Sequence, residues 1–384
     1  MRTKKTYLYK KNTRRKYGGR KFGKGFKGSV IDFCNNKKHD AYNLCKQLKI
    51  NEINTVVLYV KKENKQIKSL QLETEEQINE FINFIKSPIA KNYVVKEFYN
   101  YKIKDIDFHN EIQGYEKISK IITEKENLIG IPYDSQMLIG FEIHYKEYIS
   151  QMVTNELYTL LQNNPFETDF IHEKINKRLF VVNRKCQNSL NAKYVNTISV
   201  GIFKKLVIEI LEMIVKLNEI NIAHCDIKMD NIMICDGKYK LIDWELSNKL
   251  NYYNFKINLI LGTCPVYYII KYGYLWEIIH NITIPNIIKQ TGCNDRNSKT
   301  ESQYIFNGLE YYKQIFQSSS HDVAFEKVKY SLDLYSFGLI LYGILEHNKN
   351  IQYDLNYYLY EEFVNKIYKY ENAKQALIDF QSII

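Results

Sequence analysis

The tightest constraint on this chain is a two-residue turn. The runs Ile232-Met233-Ile234-Cys235 and Tyr239-Lys240-Leu241-Ile242 flank Asp236-Gly237. An Asp-Gly pair between two short apolar runs is the strongest local signal for a β-hairpin, because both positions of the favoured turn need positive φ. A hairpin closed there fixes its own register and brings Asn231 and Asp243 to the same open end of two adjacent strands. The stretch leading into it is His224-Cys225-Asp226-Ile227-Lys228-Met229-Asp230-Asn231. One amide oxygen and one carboxylate therefore face a loop that carries Asp226 and Lys228. Such a set suits a hard cation and phosphates, since Mg²⁺ takes one or two carboxylate-type ligands and completes its shell with phosphate oxygens and water.

The surrounding pattern is mixed. Phe203, Val207, Ile210, Ile214 and Leu217 form one apolar stripe and predict a helix over 202–220, ending near Asn221 just before the loop. Helices are also predicted over Glu75–Ile85, over 108–122 and over 332–345. Thr55–Val60, Tyr93–Lys96 and Leu179–Val182 read as strands. The segment 272–327 is polar with weak periodicity and reads as an insertion. No internal repeat is found.

A chain of 384 residues holds one large domain or two modest ones. Its net charge of +11 is uneven: residues 1–27 hold twelve of the 54 Lys and Arg and no acid, leaving 42 basic residues against 43 acidic ones. The high pI thus belongs to a tail. Such an arm suits an acidic or nucleic-acid partner or a localisation signal, with a solvated arm as the plain alternative. Seven cysteines, at 34, 45, 186, 225, 235, 264 and 293, lack C-x-x-C spacing. They read as neither a zinc site nor a disulfide framework, which favours a reducing compartment. The longest apolar run, Leu334–Leu345, is about two-thirds of a bilayer span. With a basic N-terminus and no signal-peptide core, the chain reads as soluble and cytoplasmic, without a membrane partner. The richness in Ile, Asn, Lys and Tyr fits an AT-rich genome: a microbe, a protist or a large DNA virus, whose product would sit in host cytoplasm or virion.

Residues 224–231 resemble the H-R-D-x-K-x-x-N catalytic loop of protein kinases, and Asp243-Trp244-Glu245 stands where that family has D-F-G. The resemblance implies an α+β, two-lobed kinase-like fold, with a small β-rich N-lobe and a larger, mainly helical C-lobe. On that reading 1–19 is the basic tail, 20–183 the N-lobe with an insertion at about 31–92, and 184–384 the C-lobe with the insertion at about 272–327. It further implies ATP and Mg²⁺ as cofactors and a protein as the phosphate acceptor. Asp226 would be the catalytic base, Lys228 would neutralise charge on the transferring group, and Asn231 and Asp243 would hold the metal. Gly23-x-Gly25-x-x-Gly28-x-Val30 matches the phosphate-covering loop. Val94-Val95-Lys96 resembles the strand whose lysine grips the phosphates, and Asn110-Glu111-Ile112 the helix with its paired glutamate. Lys61 with Glu80 is the rival pair. Val182 to Cys186 would form the adenine-contacting hinge, and Ser189-Leu190 would start the next helix. Gly262-Thr263-Cys264-Pro265-Val266-Tyr267 is similar to the G-T-x-x-Y groove segment, and Asp333-Leu334-Tyr335-Ser336-Phe337-Gly338 to the D-x-W-S-F-G helix start, whose aspartate braces the catalytic loop.

Three departures qualify the resemblance. Cys225 replaces the arginine that pairs with a phosphorylated activation loop, so activity is expected without that phosphorylation. Trp244-Glu245 replaces Phe-Gly, a pattern shared with aminoglycoside- and choline-type small-molecule kinases, although Lys228 points to serine/threonine protein substrates. No A-P-E segment is recognisable, with Ile270-Lys271 roughly in its place. A kinase-like scaffold that binds partners or nucleic acid through the basic arm is the third reading.

Overall fold

In the computed structural model, the described residues are 28–33, 44–48, 50–62, 66–98, 104–118, 129–130, 137–146, 176–190, 197–251, 299–348, 351 and 359–384. The basic tail, Gly23, Gly25, the G-T-x-x-Y segment and Ile270-Lys271 lie outside them.

The fold is mixed α+β, an antiparallel sheet followed by a helical C-terminal part. The seven-stranded sheet is built from β1 (Gly28–Asp32), β2 (Ile53–Lys61), β3 (Ile67–Leu72), β4 (Tyr93–Phe98), β5 (Ile129–Gly130), β6 (Met137–Tyr145) and β7 (Lys177–Arg184). Its order is β1-β4-β7-β6-β2-β3, with β5 on β6. The register sets Val30 opposite Lys96, and Lys96 in turn opposite Val181. The stretch between β1 and β4 supplies a short helix α1 (Leu44–Gln47), strands β2 and β3 at the sheet's far side, and helix α2 (Glu75–Lys86). Helix α2 begins in a capping box: the Thr74 hydroxyl accepts from the Gln77 amide while the Gln77 side chain accepts from the Thr74 amide.

Successive strand side chains point to opposite faces, so each face has its own core. On one face Phe81, Ile82 and Ile85 of α2 pack with Val56, Leu58, Phe141, Phe180 and Val182. The Phe141 ring stacks on Phe180 at 4.8 Å and meets Phe81 edge-on at 5.2 Å. Full burial of each such side chain contributes about 1.5–3 kcal/mol. On the other face Phe108 and Ile112 of helix α3 (Lys104–Ile118) pack with Leu179 and Val181, and this core continues into the helical part.

The helical part is centred on α4 (Val200–Glu219), whose Phe203, Val207, Ile210, Ile214 and Leu217 are all buried, as the stripe predicts. Within the polar stretch, 299–328 forms α5 (Lys299–Ser318) and α6 (His321–Val328), which pack into the core through Tyr304, Tyr312, Phe316, Ala324 and Phe325. Its periodicity is weak because its buried positions include tyrosines. Their hydroxyls are satisfied inside, Tyr304 on the Tyr335 carbonyl (3.1 Å) and Tyr312 on Ser331 Oγ (2.9 Å). Helix α7 (Leu332–His347) is buried along most of its length, and α8 (Ala373–Ile383) packs on α4.

A small sheet links the parts. Strand β8 (Asn188–Ser189) pairs with β10 (Ile232–Cys235), which pairs with β11 (Lys238–Leu241). Ser189-Leu190 therefore ends a strand rather than starting a helix, because its backbone is held by β10, with Leu190 N donating to the Ile232 carbonyl (2.8 Å). Strands β9 (Ile222–Ala223) and β12 (Asn248–Lys249) close a further pair around the loop. No helix among the described residues is long and apolar enough to cross a membrane.

Candidate functional site

The hairpin forms as its turn dictates. Asp236 and Gly237 both have positive φ (51° and 74°), and Ile232 pairs with Leu241. The register sets Asn231 opposite Ile242, whose amide donates to the Asn231 carbonyl (3.0 Å), and Asp243 follows at once.

The loop before the hairpin is held by main-chain contacts. The buried Asp333 near the start of α7 accepts from the His224 amide (2.7 Å) and the Cys225 amide (3.0 Å). Cys225 sits in the left-handed region at φ 64°, a conformation costing a non-glycine residue about 1–2 kcal/mol, and Asp333 holds it there. The His224 ring reaches the Ile242 carbonyl through Nε2 (3.1 Å), and its Nδ1 receives the Asp226 amide (3.3 Å). The first contact ties the loop to the hairpin strand, and the second fixes the ring within the loop.

Within the loop Asp226 is almost fully buried, and its Oδ2 accepts from Lys228 Nζ (2.7 Å) and Asn231 Nδ2 (2.8 Å). The Asn231 amide nitrogen also donates to the Asp226 carbonyl (2.9 Å), so its side-chain oxygen is the atom it can offer a cation.

Across from the loop, Lys96 on β4 donates to Asp243 Oδ1 (2.6 Å) and to Glu111 Oε2 on α3 (3.2 Å). The rival Lys61 lies on β2, next to β3 and β6 and away from this cluster. Burial opposes the Lys96 charge, but the carboxylates of Glu111 and Asp243 outweigh it and hold its pKa above the usual range. Burial pushes Glu111 up to about 8, with Lys96 opposing and the Asp243 and Glu245 charges adding. Asp243 is desolvated too, yet its close contact with Lys96 holds its carboxyl well below the ordinary range.

Glu111, Asp243 and Glu245 each bring a carboxylate oxygen within 4.8 Å of the others. Asp243 remains about a third exposed, whereas Glu111 is buried. Hard oxygen donors beside a partly open carboxylate fit Mg²⁺, and the ammonium groups of Lys96 and Lys228 fit phosphate oxygens.

Two features of this cluster went unread in the sequence. Glu245 contributes the third carboxylate from the short 3₁₀ turn Trp244–Leu246, which directly follows Asp243. Gly114, one turn after Glu111, lets α3 touch that turn: a Cβ there would lie 2.8 Å from the Trp244 carbonyl carbon. A glycine inside a helical pattern was the available signal.

The remaining predicted residues are more scattered. Gly28 and Val30 lie on β1 beside β4. Val182 lies within β7 and its side chain is in the core with Val95, on the face opposite Lys96. The chain leaves the sheet after Arg184. Cys186 follows, half-buried and bonded to Cys235 on β10. The cysteine spacing concealed this disulfide, because the β8–β10 pairing joins positions 49 residues apart. A scan against protein-family models finds no match to this chain, and a search of curated proteins likewise finds none.

Proposed function

We propose that the chain is an ATP- and Mg²⁺-dependent phosphotransferase with the two-lobed protein-kinase arrangement, acting on serine and threonine hydroxyls of proteins. The observation that carries the reading is convergence: Lys96, Glu111 and Asp243, drawn from a strand, a helix and a hairpin end, meet around one ammonium. The sheet order adds support, since the glycine-rich run leads directly into β1, which pairs with the Lys96 strand.

Asp226 would accept the proton of the attacking hydroxyl, its Oδ2 already oriented by Lys228 and Asn231. Lys228 lies close enough to that carboxylate to offset charge on the group in transit. Asp243 and the Asn231 side-chain oxygen would hold the metal, which when bound supplies charge neutralisation on the phosphates. Lys96 would grip the phosphates, and Glu111 would keep it aimed. Most of the task is positioning and charge compensation. The Trp244-Glu245 pair keeps a small-molecule hydroxyl acceptor as the second reading.

The test is phosphate transfer from labelled ATP with Mg²⁺ to generic protein substrates. Label on Ser or Thr is expected, falling about 10²- to 10⁴-fold in Asp226→Asn. Nucleotide binding without transfer would instead favour a scaffold. ATP consumption without labelled protein would point to small hydroxyl-bearing substrates.

A further inference from the structure

The segment leaving β7 is fastened to the hairpin more heavily than a simple connector requires. The Gln187 amide donates to the Ile234 carbonyl (2.9 Å), Leu190 donates to Ile232, and Arg184 pairs with Asp236 at the hairpin turn. Cys186 and Cys235 add a covalent tie at the same place, their Cα atoms 4.4 Å apart. One end of this tie lies on the connector and the other at the turn end of the hairpin, a strand's length from Asn231. Cys186 lies in the stretch between the Lys96-bearing sheet and the helical part, and Cys235 closes the strand that begins after Asn231.

We propose that Cys186 and Cys235 are a reversible thiol–disulfide latch that locks this connector onto the hairpin. Its consequence for activity, slower nucleotide exchange in the oxidised form, rests on the phosphotransferase reading. The two sulfurs have unequal access: Cys186 is half-buried beside exposed Gln187 and Asn188, while Cys235 is buried. Cys186 is therefore the thiol that a small disulfide can reach. With glutathione disulfide as oxidant, the Cys186 thiolate attacks one glutathione sulfur and expels the other as thiolate. The Cys235 thiolate then attacks the Cys186 sulfur of the mixed disulfide and expels the second glutathione. Two protein thiols are oxidised, one glutathione disulfide is reduced to two glutathiones, and the two protein protons end on the expelled thiolates. Cys225, buried in the loop, stays a thiol and serves as an internal reference.

The experiment uses the full chain equilibrated natively in glutathione buffers from reducing to oxidising. Differential alkylation with peptide mass spectrometry follows the 186–235 cross-link. Hydrogen exchange follows the Gln187 and Leu190 amides, and a fluorescent ADP analogue reports nucleotide release. The cross-link should form and break reversibly across the series. In the oxidised form both amides should exchange about tenfold more slowly, a modest share of what a cross-link typically contributes. Nucleotide release should slow in parallel, and Cys186→Ser and Cys235→Ser should each lose the redox response. A bond that never forms, one that resists reduction in the folded chain, or amide exchange that ignores the buffer would each overturn the latch. Absence of nucleotide binding in both states would sink the phosphotransferase reading, while the exchange comparison would still decide the latch.

Discussion

One ammonium between two carboxylates, with a third nearby, is an unequal arrangement. Lys96 lies closer to Asp243 than to Glu111, and Glu111 is the more deeply buried of the two. The raised Glu111 pKa, about 8 through burial first, has a definite sign for stability. Its protonated form is favoured in the folded chain, so the contribution is complete below the ordinary carboxylate pKa and is lost as pH rises through 8. Asp243 acts in the opposite sense, and only at acid pH, because its carboxyl is held low. Glu111→Gln imitates the protonated state. In Mg²⁺-free buffer, wild type should therefore lose stability relative to Glu111→Gln between about pH 5 and pH 9, as measured by urea unfolding. A stability difference that stays constant across that range would refute the assignment.

At the scale of elements, the contact between α3 and the turn after Asp243 governs whether Glu111 reaches Lys96. Gly114 makes that contact possible, and its neighbour there is backbone, which cannot step aside as a flexible side chain can. Gly114→Ala should push α3 away from Trp244 and lengthen the Lys96–Glu111 pair. Its helix propensity alone would stabilise by up to about 1 kcal/mol, so a net loss of thermal stability together with transfer activity would isolate the packing clash. A variant as stable and active as wild type would show that the helix has room to move. The same scale separates what the sequence reveals from what it hides. Helix α4 and the Asp236-Gly237 hairpin were legible because apolar spacing and turn chemistry are local signals. Helices α5 and α6 were not, because tyrosines with internally bonded hydroxyls fill buried positions where aliphatic residues would have displayed a stripe. Lys96 and Glu111 could be named from a motif resemblance. The Cys186–Cys235 pair could not, since its two halves lie far apart in sequence, and Glu245 could not, because only the α3 contact brings it to Glu111.

Over the whole molecule, the candidate site draws on the sheet, α3, the hairpin and α7, so a ligand bound there joins the sheet to the helical part. At about a hundred times its dissociation constant, MgATP should stabilise the fold by about 2.7 kcal/mol. That corresponds to a rise of roughly 3 °C in Tm for a chain of 384 residues. Asp243→Asn should abolish the Mg²⁺-dependent part of that rise in differential scanning fluorimetry. An undiminished rise would place the cation elsewhere. The tie from Asp333 to the loop spans a long stretch of chain, and it is made to amide groups rather than to side chains. Position 225 can therefore exchange one residue for another while its backbone stays where it is. That freedom separates two kinds of evolutionary change: the loop can keep its shape under selection while the side chain at 225, and any control exerted through it, drifts.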